Sequence, residues 1–247
     1  MFPAKTESIK QVIDYCKQKS IENWSFNGVR AYVPTISDLQ ALDLICQKFS
    51  IPFEWMCNLI NFETAKTFSP AIKNPTSSAS GLIQFMAATA RDLGTTTAAL
   101  RSMTFQQQLV YVEKYIYNNN KIFIVKKDSN GNVISKKAPD SYLEADLYMM
   151  IFYPAYIGKD LNTTFPRNVR DANPGINTKG DYFKYAQERA IFKNVPSNMP
   201  DYKNWYNPTI TPPPTTPPGP ILAKTPPVMT WILLIAAALV LYKTMKQ

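Results

Sequence analysis

The chain has 247 residues, 45% of them hydrophobic and 13% aromatic, enough to fill one core of ordinary size and too apolar for a disordered chain. It carries a formal net charge of +9 and contains no histidine, which excludes Ser-His and Cys-His nucleophile systems and most zinc enzymes. Proton transfer near neutral pH then falls to Glu, Asp, Tyr, Lys or Cys. The basic balance suits an acidic polymer or an anionic lipid surface. With no zinc-ligand spacing and no long Lys/Arg cluster interleaved with aromatics, nucleic acid is not expected as a partner.

Met1–Ile21 is polar and mixed in charge, so no secretory leader is expected, and residues 5–19 predict a short amphipathic helix. An irregular stretch follows through Pro34, and residues 1–36 read as an N-terminal extension. Cys16, Cys46 and Cys57 are odd in number, lack framework spacing and sit among apolar residues, which predicts small buried thiols. Ser37 is the expected N-cap of a helix over Leu39–Phe49, whose Leu39, Leu42, Ile45, Cys46 and Phe49 share one face. Pro52 suits the first turn of a helix running through Trp55, Leu59 and Ile60 to Glu63. A loop rich in Ser, Thr and Pro spans 66–80, and a helix is expected from near Gly81 to about Leu93.

Residues 104–118 place Leu109, Val112, Tyr115 and Ile116 at helical spacing. Between Lys121 and Lys137 the pattern turns to strand, turn, strand. Asp128, Asn130 and Asn132 have the beginning of a calcium loop, but Val133 holds the place of its glycine and Pro139 that of its glutamate, so a hairpin and no metal is expected. Residues 141–157 and 182–192 predict helices, separated by a loop over 166–180. The body thus reads as one mainly α domain, 37–207, with a small β-hairpin.

Nine prolines between 208 and 227 predict an extended polyproline spacer, about 3.1 Å per residue. From Val228 to Tyr242 no residue is charged, and Lys243 and Lys246 follow. Fifteen helical residues rise about 22 Å against a hydrocarbon core of about 30 Å, a gap that lysine snorkelling and interfacial Trp231 and Tyr242 can close. Residues 228–245 are therefore expected to be a transmembrane helix, a single-pass C-terminal anchor with the lipid bilayer as partner.

The window that bears chemistry is Phe62–Gly94, FETAKTFSPAIKNPTSSASGLIQFMAATARDLG. It sets a lone carboxyl at the end of an apolar helix, between Ile60, Phe62 and Phe68. Poor hydration disfavours the charged form of such a group, so it can hold a proton near neutral pH, as a general acid at a glycosidic oxygen must. By periodicity alone, a solvated glutamate at a helix end is the better-supported reading.

The same window resembles the SLT domain of the lytic transglycosylases, a lysozyme-like family marked by Glu-Ser, a loop, then Gly-Leu-Met-Gln. Glu63 stands 21 residues before Gln84 in Gly81-Leu82-Ile83-Gln84-Phe85-Met86, and the similarity, strongest to forms carried by bacteriophage wall-degrading proteins, extends to DLYMMIFYPAYIGK and NPGINTKGDYF. It implies a goose-type/SLT helical fold over roughly 51–192, peptidoglycan glycan strands as substrate, no cofactor and no metal. Residue by residue it implies Glu63 as the acid/base, and Gln84 and Met86 lining the substrate. It further implies a hydroxyl among Thr76, Ser77 and Ser78 at the sugar's acetamido group, and an aromatic that is Tyr153 or its rival Tyr148. Thr64 replaces the family's Ser, Ala87 its Pro after Met86, and Pro154 its Asn. After Asn173-Pro174-Gly175, Asn177, Lys179 and Asp181 are too few carboxylates for an ion.

A single carboxylate implies cleavage of the MurNAc–GlcNAc bond with 1,6-anhydro ring closure and no water consumed. Rival readings are a hydrolytic goose-type lysozyme and a catalytically silent glycan-binding or structural virion membrane protein. A body facing outward with a thiol pattern suited to a reducing cytosol points to the membrane of a phage virion, with other virion proteins as partners; the bacterial inner membrane is the alternative.

Overall fold

The computed structural model describes residues 3–119 and 124–205 of the chain. These residues form a mainly helical body: ten α-helices and two small antiparallel hairpins. No helix among the described residues is long and apolar enough to cross a membrane, and the expected spacer and anchor, 208–227 and 228–245, lie outside the described residues.

Helix α1 (Pro3–Ile21) buries Ile9, Val12 and Cys16 in the same core as α2 (Ile36–Phe49). Between them runs a hairpin, β1 (Ser25–Phe26) and β2 (Val29–Arg30), in the stretch expected to be irregular. Its turn residues Asn27 and Gly28 both have positive φ, 49° and 76°, the conformation that joins strands through two residues. The N-cap of α2 is Thr35, not Ser37. Its hydroxyl accepts from the Asp38 amide at 3.1 Å and the Asp38 carboxylate accepts from the Thr35 amide at 2.9 Å, a reciprocal box that starts the helix two residues earlier than Ser37 would. All three cysteines are buried and free.

Helix α3 (Phe53–Glu63) is the axis. Its residues 53–61 are all buried, so it is surrounded rather than amphipathic. Three polar side chains one or two turns apart bind the rest of the body to it. Glu54 accepts from Ser8 Oγ at 2.6 Å and Tyr202 Oη at 2.7 Å. Asn58 donates to Glu144 Oε1 and the Phe192 carbonyl, both at 3.1 Å, and accepts from the Phe192 amide at 2.9 Å. Asn61 donates to the Arg189 carbonyl at 2.7 Å. A buried polar group costs stability unless it is satisfied, so these bonds specify how α3 is oriented among its neighbours.

Beyond it, α4 (Ala87–Asp92) and α5 (Thr97–Ser102) are short. The amphipathic α6 (Phe105–Asn118) opens with a Thr104–Gln107 capping box. Strands β3 (Ile124–Lys127) and β4 (Val133–Lys137) make the expected hairpin. Helix α7 spans only Glu144–Phe152 of the expected 141–157, because Pro154 starts a separate 3-10 turn, Pro154–Tyr156. Helix α8 (Arg167–Ala172) occupies part of the expected 166–180 loop; α9 (Lys179–Gln187) and α10 (Met199–Trp205) complete the body.

Lys179 and Asp146 form an ion pair with side chains 0% and 2% exposed. Asp146 also accepts from the amides of Leu143 (3.0 Å) and Gly158 (2.7 Å), and Lys179 donates to the Lys159 carbonyl at 2.7 Å. Lys179→Met leaves that carboxylate buried with no counter-ion. The expected loss is about 3–5 kcal/mol, read as a lowered urea midpoint at unchanged m-value.

Candidate active site

Glu63 is the last residue of α3, where the helix leaves the core and its surface becomes partly accessible. Thr64 ends the helix: its hydroxyl donates to the Ile60 carbonyl at 2.6 Å and accepts from the Phe68 amide at 2.9 Å. The chain then turns through Ala65, Lys66 and Phe68, all with φ between 49° and 66°. Non-glycine residues adopt this region at a cost, and persist there only where surrounding bonds hold them. Here Trp24 Nε1 holds the Ala65 carbonyl at 2.9 Å and the Tyr32 amide holds that of Thr67 at 2.7 Å.

The Glu63 carboxyl has no hydrogen-bond or ion-pair partner among the described residues, and burial alone raises its pKa to about 8. Three tyrosines from three other helices feel its charge: Tyr115 of α6, Tyr148 of α7 and Tyr182 of α9. Burial first, and then Glu63, push Tyr115 upward. Tyr148 has no exposed surface, and its hydroxyl finds no hydrogen-bond partner among the described residues. Phe62 packs edge-on against Tyr148, Tyr182 and Tyr185 at 5.7, 5.8 and 5.9 Å, which seals the inner side. A carboxyl in this setting is held neutral at physiological pH, yet it lies at the surface of the body.

The Gly81–Met86 segment is a turn, not the start of the expected helix, which begins only at Ala87. Ser80 and Phe85 exchange backbone bonds at 3.1 and 2.8 Å, and Gln84 sits at φ 52° with Nε2 donating to the Gly81 carbonyl at 3.1 Å. Gln108 of α6 enforces the turn from below: its amide accepts from Leu82 N and donates to the carbonyls of Pro70 (3.0 Å) and Leu100 (2.8 Å). Phe85 meets Tyr115 edge-on at 6.1 Å, so the turn and the Glu63 surroundings share that ring.

Gln84 and Met86 are both partly accessible on this turn. Among the three loop hydroxyls, Ser78 Oγ accepts from the Ala87 amide at 3.1 Å and Ser77 Oγ from the Ala79 amide at 3.2 Å. Thr76 bonds Asn74 Oδ1 through both its amide (2.9 Å) and its hydroxyl (3.1 Å). All three are engaged in shaping the loop, and none is hydrogen-bonded to Glu63. Of the two tyrosines named from sequence, Tyr148 reaches Glu63 from the interior. Tyr153 stands at the far end of an aromatic train, through Phe165 (6.0 Å), Phe152 (5.3 Å) and Tyr182 (3.9 Å). Tyr115, Tyr182 and Gln108 escaped the sequence reading because helical spacing marks them only as ordinary members of α6 and α9.

No family model, curated protein or solved structure matches the chain. The second carboxyl with a strongly raised pKa, Glu144 at about 7, is 1% exposed and bonded to Asn58, so it braces the interior. Glu113 pairs with Lys48 at 2.5 Å, and Asp92 is exposed. A hollow of about 320 Å³ beneath the β3–β4 hairpin, lined by Ile124, Lys126, Lys137 and Met199, shares no residue with the Glu63 site. Among the described residues no group of His, Cys, Asp and Glu is arranged to hold a metal ion.

Proposed function

We propose that the protein is a lytic transglycosylase of the bacterial wall, with Glu63 as its single acid/base. The observation that carries this is a neutral, unpartnered, partly accessible carboxyl with no second accessible carboxyl perturbing it: burial is the only cause of its shift. A hydrolase of sugars ordinarily needs two carboxyl groups across the bond, one to activate water or attack carbon. A transglycosylase needs one, used twice. Glu63 protonates the oxygen leaving the MurNAc anomeric carbon while the 2-acetamido group assists. As a carboxylate it then takes the proton of the same sugar's C6 hydroxyl, whose oxygen closes the 1,6-anhydro ring. No water is consumed, and Glu63 ends protonated as it began.

Its surroundings favour both halves. Desolvation holds the proton ready, and the unpaired Tyr148 hydroxyl supplies a polar group nearby for the carboxylate formed midway. The strained turns at Ala65–Phe68 and Gln84 are the kind of backbone that functional sites retain. The similarity to SLT domains agrees with this chemistry, and with it we propose a lysozyme-like fold. We further propose a body held by residues 228–245 on a membrane, that of a phage virion, for local opening of the wall.

The test is mass spectrometry of fragments released from purified wall. The anhydro product is lighter by one water than the hydrolytic one and has no reducing end. Reducing-end fragments would establish a hydrolase instead. Binding without release, unaltered in Glu63→Gln, would establish a silent glycan-binding protein.

A further inference from the structure

Four cations gather where the end of α3 meets α1 and the segment after α9: Lys19, Lys66, Arg189 and Lys193. Lys66 and Lys19 lie over the same Trp24 ring, Nζ to centroid 5.3 and 5.7 Å. The Arg189 guanidinium lies 3.8 Å from the centroid of Tyr185, which packs on Phe62, the residue before Glu63. The scaffold is tied to the end of α3 and the turn after it: Trp24 Nε1 to the Ala65 carbonyl at 2.9 Å, Lys66 N to the Asn61 carbonyl at 2.8 Å, and Asn61 Nδ2 to the Arg189 carbonyl at 2.7 Å. Lys66 is presented from a backbone held at φ 66°.

The local acids do not balance these charges. Glu22 pairs with Lys19 at 2.6 Å and Glu188 reaches Arg189 at 3.5 Å, while among the described residues no carboxylate lies within 4 Å of Lys66 or Lys193. Burial, then repulsion from Arg189 and Lys19, lowers the pKa of Lys66; attraction to Glu22 opposes this in part, and Lys193 adds a smaller repulsion. Concentrating like charge on half-buried aromatic platforms is unfavourable in the free protein and is relieved by a bound anion. Lys66 follows Glu63 by three residues on the turn that ends α3, so the cluster flanks the site. That is the place for a substituent of the glycan.

Resting on the Glu63 reading above, we propose that this cluster binds the carboxylates of the short acidic peptides that branch from the wall glycan, so that peptide-bearing strands are the preferred substrate.

The test uses the full chain in detergent, in a Glu63→Gln background so that nothing is digested, co-sedimented with intact wall and with the same wall stripped of its peptides by an amidase. The expected preference for intact wall is about tenfold, and Lys66→Gln/Lys193→Gln brings it towards one. Lys66→Arg/Lys193→Arg keeps it, as does Lys126→Gln/Lys127→Gln, an equal charge loss on the β3–β4 hairpin. Equal binding to both walls, or loss of preference in the hairpin variant as well, overturns the proposal, the latter showing only general electrostatic attraction. Cleavage by the wild type on the two walls is the separate arm. A chain that sediments with the expected preference but releases nothing leaves the cluster standing and removes the Glu63 reading.

Discussion

Glu63→Gln is expected to reduce release of wall fragments by about 10²–10⁴-fold, with binding retained, because an amide of nearly the same shape can neither give nor take the proton. Retained cleavage would remove Glu63 from the chemistry. The wild-type pH profile follows from the same burial. The reaction starts from protonated Glu63, so the rate holds through neutrality and falls as pH rises through about 8.

Stability runs the same way. A carboxyl whose folded pKa lies above its ordinary value of 4.5 costs the fold nothing while protonated in both states. The penalty grows as pH climbs from 4.5 towards 8, because the unfolded chain ionises first. Glu144 adds a penalty of the same sign between 4.5 and about 7, which the variant leaves in place. Glu63→Gln therefore matches the wild type in Tm near pH 4 and exceeds it at pH 8. Because Glu63 is partly accessible, screening trims the gain to roughly 1–2 kcal/mol, or about 2–8 °C. A stability gain paired with an activity loss distinguishes a functional carboxyl from a structural one.

Gly81→Ala is expected to be among the most damaging single-methyl changes in the body. Gly81 has φ 81°, a region that costs an alanine about 1–2 kcal/mol. A Cβ there would also lie 2.4 Å from Gln108 Oε1 and 2.8 Å from its Cδ. Gln108 has no exposed surface and serves Leu82 N and the carbonyls of Pro70 and Leu100, so moving it unpairs buried groups at about 1–3 kcal/mol. The expected loss is about 3–5 kcal/mol with activity gone, measured by denaturant unfolding and fragment release. Gly81→Ala/Gln108→Ala should cost at least about 1 kcal/mol less than the two single changes summed, because the second removes what the first strikes. Strict additivity would show that the two do not meet.

Local pattern and structure part company most clearly where a distant side chain intervenes. Residues 81–86 carry Leu82, Ile83, Phe85 and Met86, a spacing that reads as helix, yet Gln108, far along the chain, takes the Leu82 amide and bends the segment into a turn. Ser37 is a different case: the box that caps α2, Thr35 with Asp38, is itself local and open to a sequence reading. Elsewhere the local signal held: the helical spacing over 104–118 yields α6, and the strand-turn-strand of 121–137 yields β3 and β4.

By itself the sequence determined that the body is mainly helical, that histidine chemistry is absent, and that Glu63 ends an apolar helix before a polar loop. All of these follow from composition and near-neighbour spacing. Whether that carboxyl would be hydrated was a tertiary matter. Desolvation is a sum over whatever packs around a group, and here the rings that feel the carboxyl's charge, Tyr115, Tyr148 and Tyr182, are brought from three other helices across more than a hundred positions of chain. The cation cluster beside it is tertiary for the same reason, since charges spread from Lys19 to Lys193 meet only once α1, α3 and the segment after α9 are packed together.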